Sequence, residues 1–171
     1  MLHIYYGNGK GKTTAAVGLT VRAIGSGMKT AFFQFLKNGS SSEISVLKSL
    51  ENNTVICCEE CKKFTFAMND IEKNEVTIRH TKMLRQAADM LISEQVQLVV
   101  LDEFIDAYNK KLIDTELADK FINEIASKGE VVLTGRNPSD KLKKYADYLT
   151  EMSAVKHPFD NGITARKGIE F

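Results

Sequence analysis

No apolar run in the 171-residue chain approaches the roughly 18 residues that would span a bilayer. An excess of charge of one sign is missing as well. The 23 basic and 22 acidic side chains leave a formal net charge of +1, so no whole-protein field would draw in nucleic acid or a membrane surface. No linker, internal repeat or low-complexity tract divides the chain. One domain with a sizeable core is therefore expected over residues 1–171. A glycine loop starts at residue 7, so no signal peptide is expected ahead of it, and the cytoplasm is the expected compartment.

Histidine and cysteine are scarce too. With three histidines and no Ser-His-Asp arrangement suggested by spacing, nucleophilic catalysis by a triad has no machinery to point to. The three cysteines cluster as Cys57, Cys58 and Cys61. Cys58-x-x-Cys61 has the spacing of a redox pair or of half a zinc site. A second ligand pair at metal spacing is missing, and the histidines lie far off in sequence. The expectation is ordinary reduced thiols at a strand end.

What is present alternates regularly. Apolar residues make up 43% and charged residues 26%, as in ordinary soluble domains. LHIYY (2–6), KTAFFQFL (29–36), TVICC (54–58), QLVVL (97–101) and EVVLT (130–134) read as strands, with YLTEM (148–152) as a last edge strand. Helices are expected over 12–24, 42–50 and about 72–94, where Met83, Ala87 and Leu91 recur at four-residue spacing. Asp114 can cap a further helix with Leu117, Phe121 and Ile125 as its apolar stripe. Asn137-Pro138 reads as another helix start. Residues 59–71 are less regular, and the tail KHPFDNGITARKGIEF is expected to wrap the surface or the site. Repeated strand-then-helix units predict an α/β fold: a mostly parallel sheet with helices on both faces, of the P-loop NTPase (RecA-like) kind.

GNGKGKTT (7–14) lies between the first strand and the first helix, the context that makes a glycine motif a credible phosphate site. Its register departs from G-x-x-x-x-G-K-[ST], since Tyr6 stands where the first glycine would be. Gly7, Gly9 and Gly11 let backbone N–H groups turn inward, and the helix N-terminus adds partial positive charge. Lys12 supplies a cation for phosphate oxygens, and the Thr13 hydroxyl is placed for a magnesium ion. VVLDE (99–103) supplies the matching acidic strand end. Asp102 would hold magnesium directly or through water. Glu103 would be a second ligand, a base for water, or only a helix-start carboxylate.

GNGKGKTTAAVGLTVRAIGSGMK, VVLDE, TGR and KHPFDNGITARKGIEF together resemble the P-loop ATP:corrinoid adenosyltransferases, also called cob(I)alamin adenosyltransferases. The resemblance runs from about residue 4 to the C-terminus, and GNGKGKTT is that family's own variant of the loop. It implies transfer of the 5′-deoxyadenosyl group of ATP to reduced cobalt in a corrinoid, with triphosphate leaving whole. Cobalt(I) is a strong nucleophile, so no general base is needed. The protein then orients ATP, neutralises the leaving group and excludes water.

By the same resemblance Gly7, Asn8, Gly9, Lys10, Gly11, Lys12, Thr13 and Thr14 form the triphosphate loop, and Arg22 and Arg136 are expected to reach the nucleotide. Thr13, Asp102 and Glu103 are the expected Mg2+ set. Phe64-Thr65-Phe66 matches the family's Phe-Thr-Trp, whose aromatics form the corrinoid side of the site and displace the lower axial cobalt ligand. Here Phe66 replaces the tryptophan, in a chain that has none. The plainer alternative is that Phe64 and Phe66 anchor a loop to the core. His157 is assigned no chemistry. A homodimer and a flavin-dependent or flavodoxin-like reductase are expected as partners. Many members carry a longer segment before the first strand, so this chain is expected to close its site differently. Two other readings stand beside this one: a phosphotransferase or ATPase acting at the γ-phosphate through Glu103, and a non-catalytic nucleotide-binding module.

Overall fold

The computed structural model describes residues 1–170. Six strands form one sheet: β1 (Leu2–Tyr6), β2 (Thr30–Gln34), β3 (Asn53–Cys57), β4 (Leu98–Asp102), β5 (Glu130–Gly135) and β6 (Tyr148–Glu151). All neighbouring strands are parallel, in the order β3-β2-β4-β5-β1-β6. The helices are α1 (Lys12–Gly25), α2 (Ser42–Ser49), α3 (Asp70–Ile92), α4 (Phe104–Asn109), α5 (Thr115–Lys120) and α6 (Asp140–Tyr145).

Strand alternation splits the core into two layers. Ala31, Phe33, Val99, Leu101, Val131 and Leu133 face one way, toward Met83, Leu84, Ala87 and Leu91 of α3 and Phe121 beyond α5. Phe32, Leu98, Val100 and Val132 face the other way, toward Ala16 and Ala23 of α1 and Ile44 and Leu47 of α2. Strands β2 and β4 are buried along their whole length, which explains their unbroken apolar runs. The four residues of β6 are exposed, as an edge strand allows.

From β1 the chain crosses over β5 and β4 to reach β2, whereas β5 hands on to β6 past the other side of β1. This opposed winding opens a crevice at the carboxyl ends of the strands, where open parallel sheets bind ligands. Strand β5 lies between β1 and β4, so the ends of all three converge there.

The expected strands and the three longer helices all form. Asp114 caps α5, its carboxylate accepting from Leu117 N–H at 3.0 Å. The expected stripe is modified. After α5 the backbone widens into a π-turn over Phe121–Ile125. That adds a residue to the turn and brings Ile122 inside beside Phe121, leaving Leu117 and Ile125 partly buried at the core's edge. Asn137-Pro138 does not start α6. Asn137 is left-handed (φ 50°), and Ser139 is the cap, accepting from Leu142 N–H at 3.2 Å. Helix α4 was not foreseen beyond the helix-start alternative for Glu103. Nor was the position of one histidine: α3 brings His80 to 3.6 Å from the Cys61 sulfur.

Candidate active site

Strand β1 ends at Tyr6 and α1 begins at Lys12, so Tyr6 belongs to the strand and Gly7 to Gly11 make a short turn. Two glycines of that turn are required sterically. Gly7 has φ 117°, and a Cβ there would lie 2.5 Å from the Met152 carbonyl oxygen. A Cβ on Gly9 would lie 2.6 Å from the same oxygen, which accepts from Gly9 N–H. Backbone following β6 therefore braces the loop from behind. Asn8 adds to the brace, its Oδ1 accepting from Ala154 N–H at 3.1 Å. Lys12 curls over the turn and donates to the Gly9 carbonyl at 2.8 Å. Burial, followed by the Arg136 charge, lowers the Lys12 ammonium's affinity for its proton. An arriving polyanion would oppose both effects by favouring the charged form.

Asp102 is fully buried at the end of β4. Its Oδ1 accepts from Thr13 Oγ1 at 2.8 Å and from Thr134 Oγ1 at 2.7 Å. The Thr134 hydroxyl in turn accepts from Glu103 N–H at 2.9 Å. The end of β5 thus fixes both acids of the motif. Glu103 sits at the N-terminus of α4 in a left-handed conformation, φ 61°. For a non-glycine residue this costs about 1–2 kcal/mol, and such strain collects at functional sites. The helix-start alternative for Glu103 is therefore correct as to position, although its side chain makes no cap bond.

Lys37, which no motif singles out, lies 3.3 Å from Glu103 Oε1 and 3.8 Å from Asp102 Oδ2. Burial alone would depress its pKa, but the two carboxylates outweigh that and raise it. Glu103 is pushed up from the usual carboxylate range by burial first and Asp102 second, against the pull of Lys37. Thr13 Oγ1, Asp102 and Glu103 offer oxygen donors only, which suits a hard cation such as Mg2+ and no soft one.

Two contiguous clefts open over these groups. The larger, about 490 Å³, is lined by Lys10, Thr13, Thr14, Val17, Lys37 and Glu43, with Ile169 and Glu170 of the tail. The smaller, about 200 Å³, is lined by Asn8 to Thr14, Lys37, Glu103, Arg136 and His157. The tail thus folds over the site, as expected. Arg136 joins the loop. Arg22 does not: it is exposed on the last turn of α1, about 15 Å along the helix from Lys12. Phe64 and Phe66 lie outside both clefts. They are 78% and 87% exposed and stack on each other at 5.6 Å and 7°. This overturns the idea that they anchor their loop to the core; Met68 does that, at 6% exposed. The loop is tied instead to α4, whose C-cap Lys110 donates to Thr65 Oγ1 at 2.8 Å.

A strand–glycine loop–helix unit facing a buried strand-end aspartate across a threonine hydroxyl defines a P-loop nucleotide-binding protein. Its fold is also that of a solved structure of EssC ATPases 2 and 3 from Geobacillus thermodenitrificans, with a TM-score of 0.51 at 15% identity, covering 98% of this chain and 36% of that one. The family described as ATP:corrinoid adenosyltransferase BtuR/CobO/CobP matches residues 1–171, and the chain belongs to it. It is 33% identical to a corrinoid adenosyltransferase of Pseudomonas aeruginosa over 171 residues, all of this chain and 83% of that protein. It is 31% identical to a corrinoid adenosyltransferase of Escherichia coli K12 over 172 residues, 98% of this chain and 84% of that protein.

Proposed function

We propose that this chain transfers the 5′-deoxyadenosyl group of ATP to the reduced cobalt of a corrinoid. The cobalt(I) electron pair forms a bond to C5′ of the ribose. The C5′–O5′ bond breaks, and O5′ leaves with its electron pair as the end of an intact triphosphate. The observation that carries this reading, beside family membership, is the division of labour in the cleft. Cations and oxygens suited to a triphosphate surround the loop, whereas Glu103, the acid that the strand-end motif offers as a base, is paired with Lys37.

In this reading Gly7 to Thr14 and Arg136 hold the triphosphate. Lys10, Lys12 and Arg136 stabilise charge that builds on O5′ and the phosphates as the bond breaks. Thr13, Asp102 and Glu103 would hold Mg2+, which neutralises further charge on the leaving group when bound. Arg22, exposed on the last turn of α1, stands outside this cradle. Phe64 and Phe66 meet the corrinoid: an exposed stacked aromatic pair is a surface that gains by being covered. The reading also takes residues 1–171 as one nucleotide-binding domain, working as a homodimer in the cytoplasm with a flavin-dependent or flavodoxin-like electron donor. No helix among the described residues is long and apolar enough to cross a membrane.

Phosphorus NMR of the products tests the reaction, with Mg-ATP and chemically reduced corrinoid incubated without oxygen. Triphosphate that appears only with corrinoid is the expected result. ADP and orthophosphate would replace this reading with γ-phosphate chemistry. Untouched ATP would point to the nucleotide-binding module.

A further inference from the structure

The Cys58-x-x-Cys61 pair finds its missing partner in three dimensions. Cys58, Cys61 and His80 are all buried, at 0%, 5% and 0% exposure. Their two sulfurs and one ring nitrogen lie within 4.8 Å of one another. The structure assigns to Cys58 Sγ, Cys61 Sγ and His80 Nε2 a binding site for a zinc-class divalent ion, separate from the nucleotide cleft.

Four features carry this. The donor set is two thiols and an imidazole, which select zinc-class ions over the hard cations suited to the cleft. The spacing is nearly right. Zinc binds sulfur at about 2.3 Å and nitrogen at about 2.1 Å, so a tetrahedral pair of such ligands stands roughly 3.6 Å apart. Cys61 Sγ and His80 Nε2 are already 3.6 Å apart.

The third feature is the tautomer. His80 Nδ1 lies 2.7 Å from the Leu112 carbonyl, which can only accept, so Nδ1 carries the proton. Nε2 is therefore the unprotonated nitrogen, and it is the one beside Cys61. A ring N–H donated to a backbone carbonyl is the usual outer support of a metal-bound histidine. The Nε2 lone pair now accepts from Leu36 N–H at 3.1 Å. An ion on Nε2 would displace that bond, leaving the Cys61 thiolate, 3.6 Å from Nε2, as the acceptor for Leu36 N–H.

The fourth is the surrounding charge. Glu60 Oε2 is 4.0 Å from Cys58 Sγ, at the rim of the site, and can complete the shell directly or through water. Arg79 faces Glu60 at 3.5 Å and donates to the Cys57 carbonyl at 3.0 Å, which steadies the rim without entering the donor set. An ion at this position would staple the end of β3 to α3, immediately before the loop that presents Phe64 and Phe66.

The test uses the untagged, full-length, reduced chain without corrinoid or nucleotide. Metal analysis of protein purified without chelator should find one zinc per chain. After chelator treatment, titration with Co2+ alone should saturate at one equivalent with intense near-ultraviolet thiolate-to-metal absorption, and zinc should displace it. Cys58→Ser and His80→Gln should each weaken binding by at least the roughly 10–100-fold that loss of an outer partner costs. The wild-type titration decides the matter even if those variants fail to fold. Weak absorption without a thiolate band, abolished by Asp102→Asn, would put the ion in the nucleotide cleft and overturn the assignment. So would a chain that binds no metal and has a mass two hydrogens low, as a Cys58–Cys61 disulfide.

Discussion

In the proposed reading, the two sides of the molecule meet their substrates in opposite ways. The phosphate side is finished before anything binds: loop, buried aspartate and two threonine hydroxyls interlock at 2.6–2.9 Å on the ends of three adjacent strands. The other side is an irregular stretch, 58–69, holding two exposed phenylalanines between a Cys/His cluster and Met68. A leaving group of high charge needs fixed dipoles, because reorganising them would add to the barrier. A bulky, largely apolar partner needs a surface that can be covered and uncovered. The contrast predicts that changes on the first side remove function with or without structure, whereas changes at the exposed phenylalanines of the second leave stability alone.

The largest expected effect is Lys12→Ala. Among the described residues its ammonium bonds only to a carbonyl of the loop, so folding should survive. Loss of a preorganised charge on the leaving group should lower kcat/KM for Mg-ATP by about 10²–10³-fold. Steady-state kinetics beside a melting curve would check both parts. A parallel fall in melting temperature would mean that the lysine holds the loop rather than the phosphates.

Gly9→Ala comes next. The added methyl would meet the Met152 oxygen at 2.6 Å and the Ser153 carbonyl carbon at 2.8 Å, both backbone. Loop or edge strand must move, at about 1–3 kcal/mol by analogy with overpacked sites. Thermal unfolding and ATP titration should both report the damage. A neutral result would show that the brace behind the loop is soft.

Phe66→Ala sharpens the contrast from the other side. The ring is 87% exposed, so stability should change within about ±0.5 kcal/mol. ATP affinity should hold while turnover with corrinoid falls about tenfold or more, seen as cobalt-alkyl formation at saturating ATP. The phosphate loop, acidic strand end and sheet were legible in the sequence, because each is a local pattern or an apolar run; the tail was legible only as a wrap over surface or site. What was not legible depends on the closure of the sheet. Lys37 is a lone lysine until β2 pairs with β4 and sets it beside Asp102. His80 is 19 residues from Cys61, with no repeat of spacing to flag it. Helix α4 is six residues long, too short for a periodicity, and starts directly after a strand. The exposure of Phe64 and Phe66 was equally hidden, since an aromatic pair in an irregular stretch reads the same as anchor or as surface.

The smallest effect concerns Glu103, where phosphate-side rigidity has a price in the empty protein. Its pKa is raised in the folded state, so its ionised form is disfavoured there relative to the unfolded chain. The sign follows from linkage. Below the ordinary glutamate value of about 4.3 the acid is neutral in both states and carries no penalty. As pH rises through that value toward the higher folded pKa, the unfolded chain ionises first and folding loses stability. Glu103→Gln should therefore raise the melting temperature of ligand-free protein near pH 7–8, and the gain should vanish below about pH 4. Lys37 keeps Asp102 as a partner at 3.8 Å, so the substitution does not strand a buried cation. A gain independent of pH would instead assign the effect to contacts of the amide rather than to ionisation, and a loss at neutral pH would make the Lys37 pair net stabilising.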